Sequence, residues 1–309
     1  MGLNKFRRLG TIERMMHVLL LEKLNYICPD TVGDALDAMT GAGTGKAYFI
    51  AGGTDIVPML RARAIQPECL IDLKELGLDY VREESAEIRI GAMTTFRTLT
   101  RNAVIKSVLP TLAEAANSIG AVQTRGLATI GGNLCTAVPS LDSAPPLFVY
   151  GAVLKLVSKT GERIIPVRDF FVGPRKTQLK RDEEILTEII VKTPPAGFVS
   201  RYTKFGRRAA LTLSIVNAGF GCIPEGGRIT NTSTCIGACA PIPVKLTKTE
   251  EYLDGKDLDS ISFDTLDELI KSEITPITDI RASKEYRSEL AAALIRGHVQ
   301  DILGKEGSK

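Results

Sequence analysis

The chain has 309 residues, of which 44% are hydrophobic and 24% are charged. These fractions are those of a globular protein and exclude a disordered or fibrous chain, and the length predicts two domains. The 39 lysines and arginines against 36 acidic residues leave a net charge of +3, which is too balanced to indicate nucleic acid or a membrane surface as a partner. With two histidines, six scattered cysteines and no tryptophan, neither a metal centre nor a base-stacking platform is expected.

Residues 1–22 are interpreted as an N-terminal extension of the folded chain. The apolar run from Met15 to Leu21 follows basic residues, as in a signal peptide, but Glu22 and Lys23 end it without a small-residue cleavage site. The run is also far shorter than the ~20 apolar residues that span a bilayer. Six cysteines without a dense framework are typical of buried thiols in a reducing compartment. We therefore expect a cytoplasmic protein without membrane insertion.

The first half of the chain is predicted to mix helices with short strands. Apolar residues at helical spacing predict a first helix from Pro29 to the glycines at 41 and 43, and a short buried strand follows at Ala47–Ile50. Further strands and helices are predicted at 67–73, 87–90, 94–102 and 110–120. Residues 129–146 consist mostly of small residues, glycine and proline, and are too irregular for one element.

The second half is predicted to be richer in paired strands. Lys159-Thr-Gly161 lies between two apolar runs and predicts a hairpin, and a strand is predicted at 184–191. The Pro194-Pro195 pair that follows is the preferred domain boundary. Paired strands and a last helix are predicted at 211–220, 228–238 and 283–303. His298 shares the apolar face of that helix, which favours a packing role over catalysis. Because strands and helices do not alternate as repeated βαβ units, the predicted class is α+β.

Two glycine-rich loops carry the candidate site. The first, Ala51-Gly-Gly-Thr-Asp55, follows an apolar strand, and its paired glycines allow successive backbone N–H groups to point into one concavity. Such a nest binds a diphosphate without lysine, with Thr54 adding a hydroxyl donor, and the alternative is a plain tight turn. The second, Thr129-Ile-Gly-Gly-Asn133, offers the same backbone freedom with side-chain hydrogen bonds from its first and last residues, and Asp142 follows it. One dinucleotide held by both loops would explain their coincidence.

Two other nucleotide motifs fail on inspection. Gly43-Thr-Gly-Lys46 resembles the end of a phosphate loop, but Ala47 stands in place of the hydroxyl residue that holds magnesium, and Thr40 in place of the opening glycine. No GxGxxG sequence follows a strand, so a Rossmann domain has no support. A nucleotide-hydrolysing function is therefore not expected.

The two loops, with Gln123-Thr-Arg125 before the second, resemble those of the FAD-binding medium subunits of the molybdenum hydroxylases, such as xanthine, carbon monoxide and nicotinate dehydrogenases. The resemblance runs from about Leu24 to Leu303. It implies a vanillyl-alcohol-oxidase-type (PCMH) FAD-binding domain of two α+β subdomains, then a domain of antiparallel sheet and helices. The implied bounds of these two domains are 23–197 and 198–309.

The resemblance also implies which residues contact FAD. The first loop would line the diphosphate and ribityl groups, and the second would form another clamp on the cofactor. Thr136 and Asp142 would lie along the cofactor, and Leu186 and Lys204 would approach the flavin ring. The implied cofactor contacts are Phe49, Ile50, Ala51, Gly52, Gly53, Thr54, Asp55, Ile56, Thr129, Ile130, Gly131, Gly132, Asn133, Thr136, Asp142, Leu186 and Lys204. No catalytic side chain and no metal ligand is implied. A reductase of this family has an extra cysteine-bearing insertion that holds a four-iron cluster. Because no such insertion follows Asn133, no cluster is expected here.

In complexes of this family, a molybdopterin-binding large subunit oxidises the substrate. A small subunit with two two-iron clusters relays the electrons to the flavin, from which they pass to NAD or another acceptor. The resemblance therefore implies an electron-transfer subunit that positions FAD and tunes its surroundings. Two alternatives stay open. One is a free-standing FAD-dependent oxidoreductase of the same fold, such as the reductase of cell-wall UDP-sugar synthesis, and the other is a scaffold that has lost FAD.

Overall fold

The computed structural model describes residues 24–208 and 211–306. They form a small first subdomain, a larger second subdomain and a C-terminal domain, each around its own apolar core. The sheets are mostly antiparallel and are combined with helices, so the predicted α+β class is confirmed. The extension predicted at 1–22 lies outside the described residues.

The first subdomain is a parallel sheet with a helix on one face. Its strands, in the spatial order β1-β3-β2, are β1 (Asn25–Ile27), β2 (Ala47–Ile50) and β3 (Cys69–Asp72). Helix α1 (Val32–Ala42) begins after Thr31, whose hydroxyl accepts the N–H of Asp34, and ends at Gly43, where φ is +86°. Helix α2 (Ile56–Arg61) links β2 to β3. The loop after β2 therefore lies at the carboxyl edge of parallel strands, where open α/β sheets bind ligands.

The second subdomain is built on an antiparallel sheet in the order β4-β5-β10-β6-β7. These strands and a two-stranded ribbon, β8–β9, are β4 (Val81–Glu84), β5 (Glu87–Gly91), β6 (Val153–Ser158), β7 (Gly161–Pro166), β8 (Phe171–Gly173), β9 (Lys176–Thr177) and β10 (Glu184–Lys192). The central strand β10 is buried from its first residue to its eighth. Its two carboxylates are paired, Glu184 with Arg163 at 2.7 Å and Glu188 with Arg89 at 2.8 Å. The hydrogen bond from Arg163 lowers the pKa of Glu184.

Short helices pack against this sheet. They are α3 (Phe96–Arg101), α4 (Ala103–Val108), α5 (Pro110–Ser118), α6 (Val122–Leu127), α7 (Ile130–Thr136), α8 (Ala144–Val149) and α9 (Val167–Phe170). Residues 129–146, whose composition predicts no single element, thus form two helices separated by a turn. Pro145 and Pro146 occupy the first turn of α8, where the missing N–H costs nothing.

The C-terminal domain packs helices against a three-stranded antiparallel sheet. Its elements are β11 (Val199–Gly206), β12 (Ser214–Glu225), β13 (Arg228–Gly237), α10 (Thr247–Leu253), α11 (Phe263–Glu273) and α12 (Lys284–Glu306), with a 3-10 turn at Leu258–Ser260. Strand β11 is missed by the sequence analysis because its residues are half-buried and show no alternation of apolar and polar residues. The predicted strand at 211–220 starts too early, since Leu211 has a φ of +53°.

His298 lies buried on α12, with Nε2 2.9 Å from the hydroxyl of Thr203. Burial lowers the pKa of His298 to about 4, and the packing role predicted for it is confirmed. The six cysteines are free thiols. Over residues 24–208 and 211–306, no group of three or more histidine, cysteine or acidic side chains is placed to hold a metal ion. No helix in the described ranges is long and apolar enough to cross a membrane.

Candidate cofactor-binding site

The first glycine loop turns between β2 and α2. Gly53 has a φ of +70°, a conformation that residues with a side chain rarely adopt. The backbone N–H groups of residues 51–56 donate no hydrogen bond to any part of the chain that the structure describes, and the hydroxyl of Thr54 likewise has no such partner. Most of this run is half-buried. Since N–H groups shielded from water are normally paired, the loop offers a set of donors for a partner outside the described residues, and an anion suits such a set.

The two glycine loops are in contact with each other. A Cβ atom on Gly52 would lie 1.8 Å from the carbonyl oxygen of Leu127, just before the second loop, so only glycine allows this approach. A Cβ atom on Gly132 would lie 3.5 Å from a Cβ atom of the first loop. Thr136 Oγ1 also donates to Asp55 Oδ2 over 3.3 Å. The structure therefore brings the two predicted loops to one place.

The second loop forms the first turn of α7, and the backbone N–H groups of residues 130–133 are already used. The hydroxyl of Thr129 accepts the N–H of Gly132 at 3.1 Å, and its carbonyl accepts that of Asn133 at 3.0 Å. The N–H groups of Ile130 and Gly131 donate to the carbonyl oxygens of Thr94 and Ala92, which follow β5. A Cβ atom on Gly131 would lie 2.6 Å from that of Ala92. These glycines thus serve close packing of the protein, and the second loop has no unpaired N–H nest.

Asn133 is the residue of the second loop whose side chain stays available. Its Oδ1 accepts a hydrogen bond from Ser143 Oγ at 2.7 Å. Its Nδ2 has no partner among the described residues, and the side chain is half-buried. The Ser143 contact therefore holds the amide oxygen and leaves its two N–H donors available to a ligand.

Asp142 and Lys204 form a buried ion pair that joins the second subdomain to the C-terminal domain. Lys204 Nζ lies 2.6 Å from Asp142 Oδ2 and 3.0 Å from the carbonyl oxygen of Ser118. Both side chains are about one-tenth exposed. Three donors from the C-terminal domain reach Asp142 Oδ1, namely Ser214 Oγ at 2.5 Å, Asn217 Nδ2 at 2.8 Å and the Tyr202 hydroxyl at 3.2 Å. With all of these partners, the carboxylate is held in one orientation.

Sequence reasoning missed the three donors around Asp142. Tyr202 and Lys204 are two residues apart on β11, so their side chains share one face of the sheet. That spacing is the available signal, but it is readable only once β11 is recognised as a strand. Burial and the nearby Asp142 raise the pKa of Tyr202 well above its usual value, which keeps the hydroxyl protonated as a donor.

The other predicted contacts differ in how accessible they are. Phe49 and Ile50, at the end of β2, and Ile56, at the start of α2, are half-buried around the first loop. Ile130 and Leu186 are 0% and 4% exposed and belong to the apolar core of the second subdomain. Leu186 precedes a bulge in β10, where the register with β6 shifts.

A cofactor with a diphosphate group fits the first loop. The N–H groups at 51–56 supply the donors that such a group needs, and the positive φ of Gly53 is a backbone conformation found in N–H nests. Asn133 adds donors from the second loop, and Asp142 of the Asp142–Lys204 pair directly precedes Ser143, which hydrogen-bonds the amide of Asn133. FAD therefore fits the residues that are present.

Comparison with protein-family models assigns both parts of the chain. Residues 22–194 match the FAD binding domain in molybdopterin dehydrogenase. Residues 200–302 match the CO dehydrogenase flavoprotein C-terminal domain.

Individual proteins match over nearly their whole length. The nicotinate dehydrogenase FAD-subunit of Eubacterium barkeri is 30% identical, over 92% of this chain and 97% of that protein. The xanthine dehydrogenase FAD-binding subunit of Escherichia coli O157:H7 is 28% identical, over 90% and 96%. Among solved structures, reconstituted CO dehydrogenase from Oligotropha carboxidovorans contains a chain that superposes with a TM-score of 0.83 at 30% identity, covering 88% of this chain and 95% of that one.

Proposed function

This chain belongs to the family of FAD-binding subunits of the molybdenum hydroxylases, and from that premise we propose that it is the electron-transfer subunit of such a complex. It is an oxidoreductase subunit whose cofactor is FAD. When bound, FAD supplies the redox chemistry, taking up electrons and giving them to an acceptor. The remaining work, which is binding and orientation, falls to the residues of the chain itself.

Each group of residues has a proposed part in holding the cofactor. The N–H groups at 51–56 and the hydroxyl of Thr54 bind the diphosphate, because they have no acceptor among the described residues. The amide of Asn133, fixed by Ser143, donates from the second loop. The paired Asp142 and Lys204 hold their charges in fixed positions beside the cofactor. Ile130 and Leu186 shape the apolar wall behind it.

We further propose that the electrons arrive from partner subunits. Two two-iron clusters need eight thiolates at four each, whereas the chain has six cysteines, four of which are buried. A molybdopterin-binding large subunit and a two-iron small subunit would supply the missing centres. NAD or another acceptor would then take the electrons. No side chain of this subunit is assigned a catalytic acid or base role.

The unpaired N–H run of the first loop is the observation that carries this proposal. Gly53→Ala places a side chain at a φ of +70°, which costs about 1–2 kcal/mol unless the loop rearranges, and rearrangement redirects the donors. We expect FAD affinity, measured by flavin fluorescence titration, to fall about ten-fold or more. Gly77→Ala is the matched control, because Gly77 has a φ of +67° with open space around it and lies outside both loops. Equal losses in the two variants would contradict the role of the first loop.

Copurification tests the subunit assignment separately. The chain, purified from its native host under mild conditions, is expected to bring molybdenum and iron with it in metal analysis. Recovery of the chain alone as a flavoprotein that oxidises an organic substrate over many turnovers, without either metal, would favour the free-standing oxidoreductase instead. Recovery without any flavin absorbance would favour the scaffold.

A further inference from the structure

A separate cavity of about 460 Å³ lies between the second subdomain and the C-terminal domain. Its walls come from the end of α8, the start of α9, the end of β10, strand β13 and the loop before α10. It shares no residue with the two glycine loops or with the donors around Asp142. Its volume lies within the range of sites that bind small organic ligands.

The charged side chains found in the lining are basic. Arg168 lies on α9, Lys192 on β10 and Lys245 in the loop before α10, and no aspartate or glutamate among the described residues lines the cavity. Lys245 is paired with Glu250 at 3.1 Å, and Arg168 with its neighbour Asp169 at a longer 3.8 Å.

Lys192 has no ion pair within the described ranges. Glu87 stands opposite Lys192 in the β-ladder, but Glu87 is engaged by Arg89 at 2.9 Å. The cavity therefore offers positive charge that the protein itself does not neutralise, and it favours an anion.

The uncharged lining adds hydroxyl donors and an apolar wall. The hydroxyl oxygen of Thr232 is buried and has no hydrogen-bond partner among the described residues, and Thr193 and Ser233 add two more hydroxyls. A buried hydroxyl without a partner is costly, which points to a ligand or water at this place. Phe198, which also lines the cavity, packs against Tyr150 with ring centroids 6.2 Å apart. The lining thus offers groups that suit an anion and rings that suit an aromatic ligand.

We propose that this cavity binds a small organic phosphate, with the phosphate against Lys192 and Arg168 and an aromatic ring against Phe198. Phosphate carries several strong acceptors, which can take hydrogen bonds from cations and from the Thr232 hydroxyl together. The site is separate from the proposed FAD site, because it shares no residue with the two glycine loops. Its ligand would therefore be recognised whether or not the flavin site is filled.

Calorimetry on the full chain, saturated with FAD to block the flavin site, tests this proposal with phenyl phosphate as the probe. We expect saturable binding of phenyl phosphate that is clearly tighter than that of inorganic phosphate, which lacks the ring, or of benzyl alcohol, which lacks the charge. Lys192→Gln and Arg168→Gln should each weaken phenyl phosphate binding about ten-fold, because each removes a charge-assisted hydrogen bond. Both side chains are exposed, so the variants are expected to fold.

Lys106→Gln is the matched control, since Lys106 is exposed and has no ion pair in the described part of the chain, and lies on α4 outside the cavity. Its affinity for phenyl phosphate should equal that of the unmodified chain. Absence of saturable binding, equal affinity for phenyl phosphate and inorganic phosphate, or equal losses in Lys106→Gln and Lys192→Gln would each overturn the proposal.

Discussion

The two glycine loops carry the same Gly-Gly pair but differ in what their backbone N–H groups bind. In the first loop, Gly53 has a positive φ, and the five successive N–H groups of residues 51–55 have no acceptor among the described residues. In the second loop, no glycine has a positive φ, and the N–H groups are bonded to Thr129 and to carbonyls after β5. Glycine therefore gives conformational freedom at Gly53, whereas Gly52 and the glycines of the second loop allow close packing.

This difference divides the site into a binding half and a supporting half. The first loop presents donors that the fold leaves unused, so it is the part that is stabilised by a ligand. The second loop is already stabilised by the protein, and Asn133 is its contribution to ligand binding. Substitutions in the supporting half should therefore change folding stability first, whereas substitutions in the binding half should change FAD affinity first.

The largest expected effect comes from breaking the buried ion pair that joins the second subdomain to the C-terminal domain. Lys204→Met leaves the buried Asp142 carboxylate without its cation, and losing one partner of a buried pair costs about 3 kcal/mol or more. We expect about 3 kcal/mol, the low end, because three neutral donors still reach the carboxylate. Urea unfolding of the chain without FAD measures this free energy.

The double variant Asp142→Asn with Lys204→Met is the control for that prediction. With the carboxylate neutralised, the loss of the cation should matter less, so the double variant should be more stable than the sum of the single variants predicts. Strict additivity would show that the two side chains do not stabilise each other. An unchanged urea midpoint in Lys204→Met would contradict the anchoring role altogether.

A smaller loss of stability is expected from Gly131→Ala in the second loop. The new Cβ atom would lie 2.6 Å from the Cβ atom and 2.7 Å from the carbonyl oxygen of Ala92, and overpacking of this kind costs about 1–3 kcal/mol. Gly126→Ala is the control, because Gly126 lies in helix α6 with nothing within 4 Å of a new Cβ atom. That variant should be unchanged or slightly more stable. If Gly131→Ala keeps its stability and loses FAD instead, the division between the two loops is wrong.

The sequence predicts the elements that have a clear period or a clear cap, and it fails where function depends on contacts between distant residues. Helix α1 is predicted because its apolar residues repeat at helical spacing between Thr31 and Gly43. Both loops are predicted because paired glycines are conspicuous, but their different roles depend on what faces them. Leu127 and Ala92 are such neighbours, and no local pattern reveals them. Tyr202 is missed for a different reason, because its strand shows no clear alternation of apolar and polar residues.

The smallest expected effect comes from Asn133, the residue of the second loop whose side chain is proposed to bind FAD. In Asn133→Ala, the amide that remains available to the ligand is removed, and a lost hydrogen bond of this kind costs about 1–3 kcal/mol, or several-fold to about a hundred-fold in affinity. We expect the lower part of that range for FAD, because the N–H groups of the first loop still bind the diphosphate.

Ser143→Ala is the companion variant: it keeps the amide but removes the hydroxyl that orients it. Ser143→Ala should weaken FAD binding less than Asn133→Ala, and both should unfold close to the urea midpoint of the unmodified chain. Unchanged FAD affinity in Asn133→Ala would place the second loop entirely in the supporting half, with the first loop as the ligand's main contact.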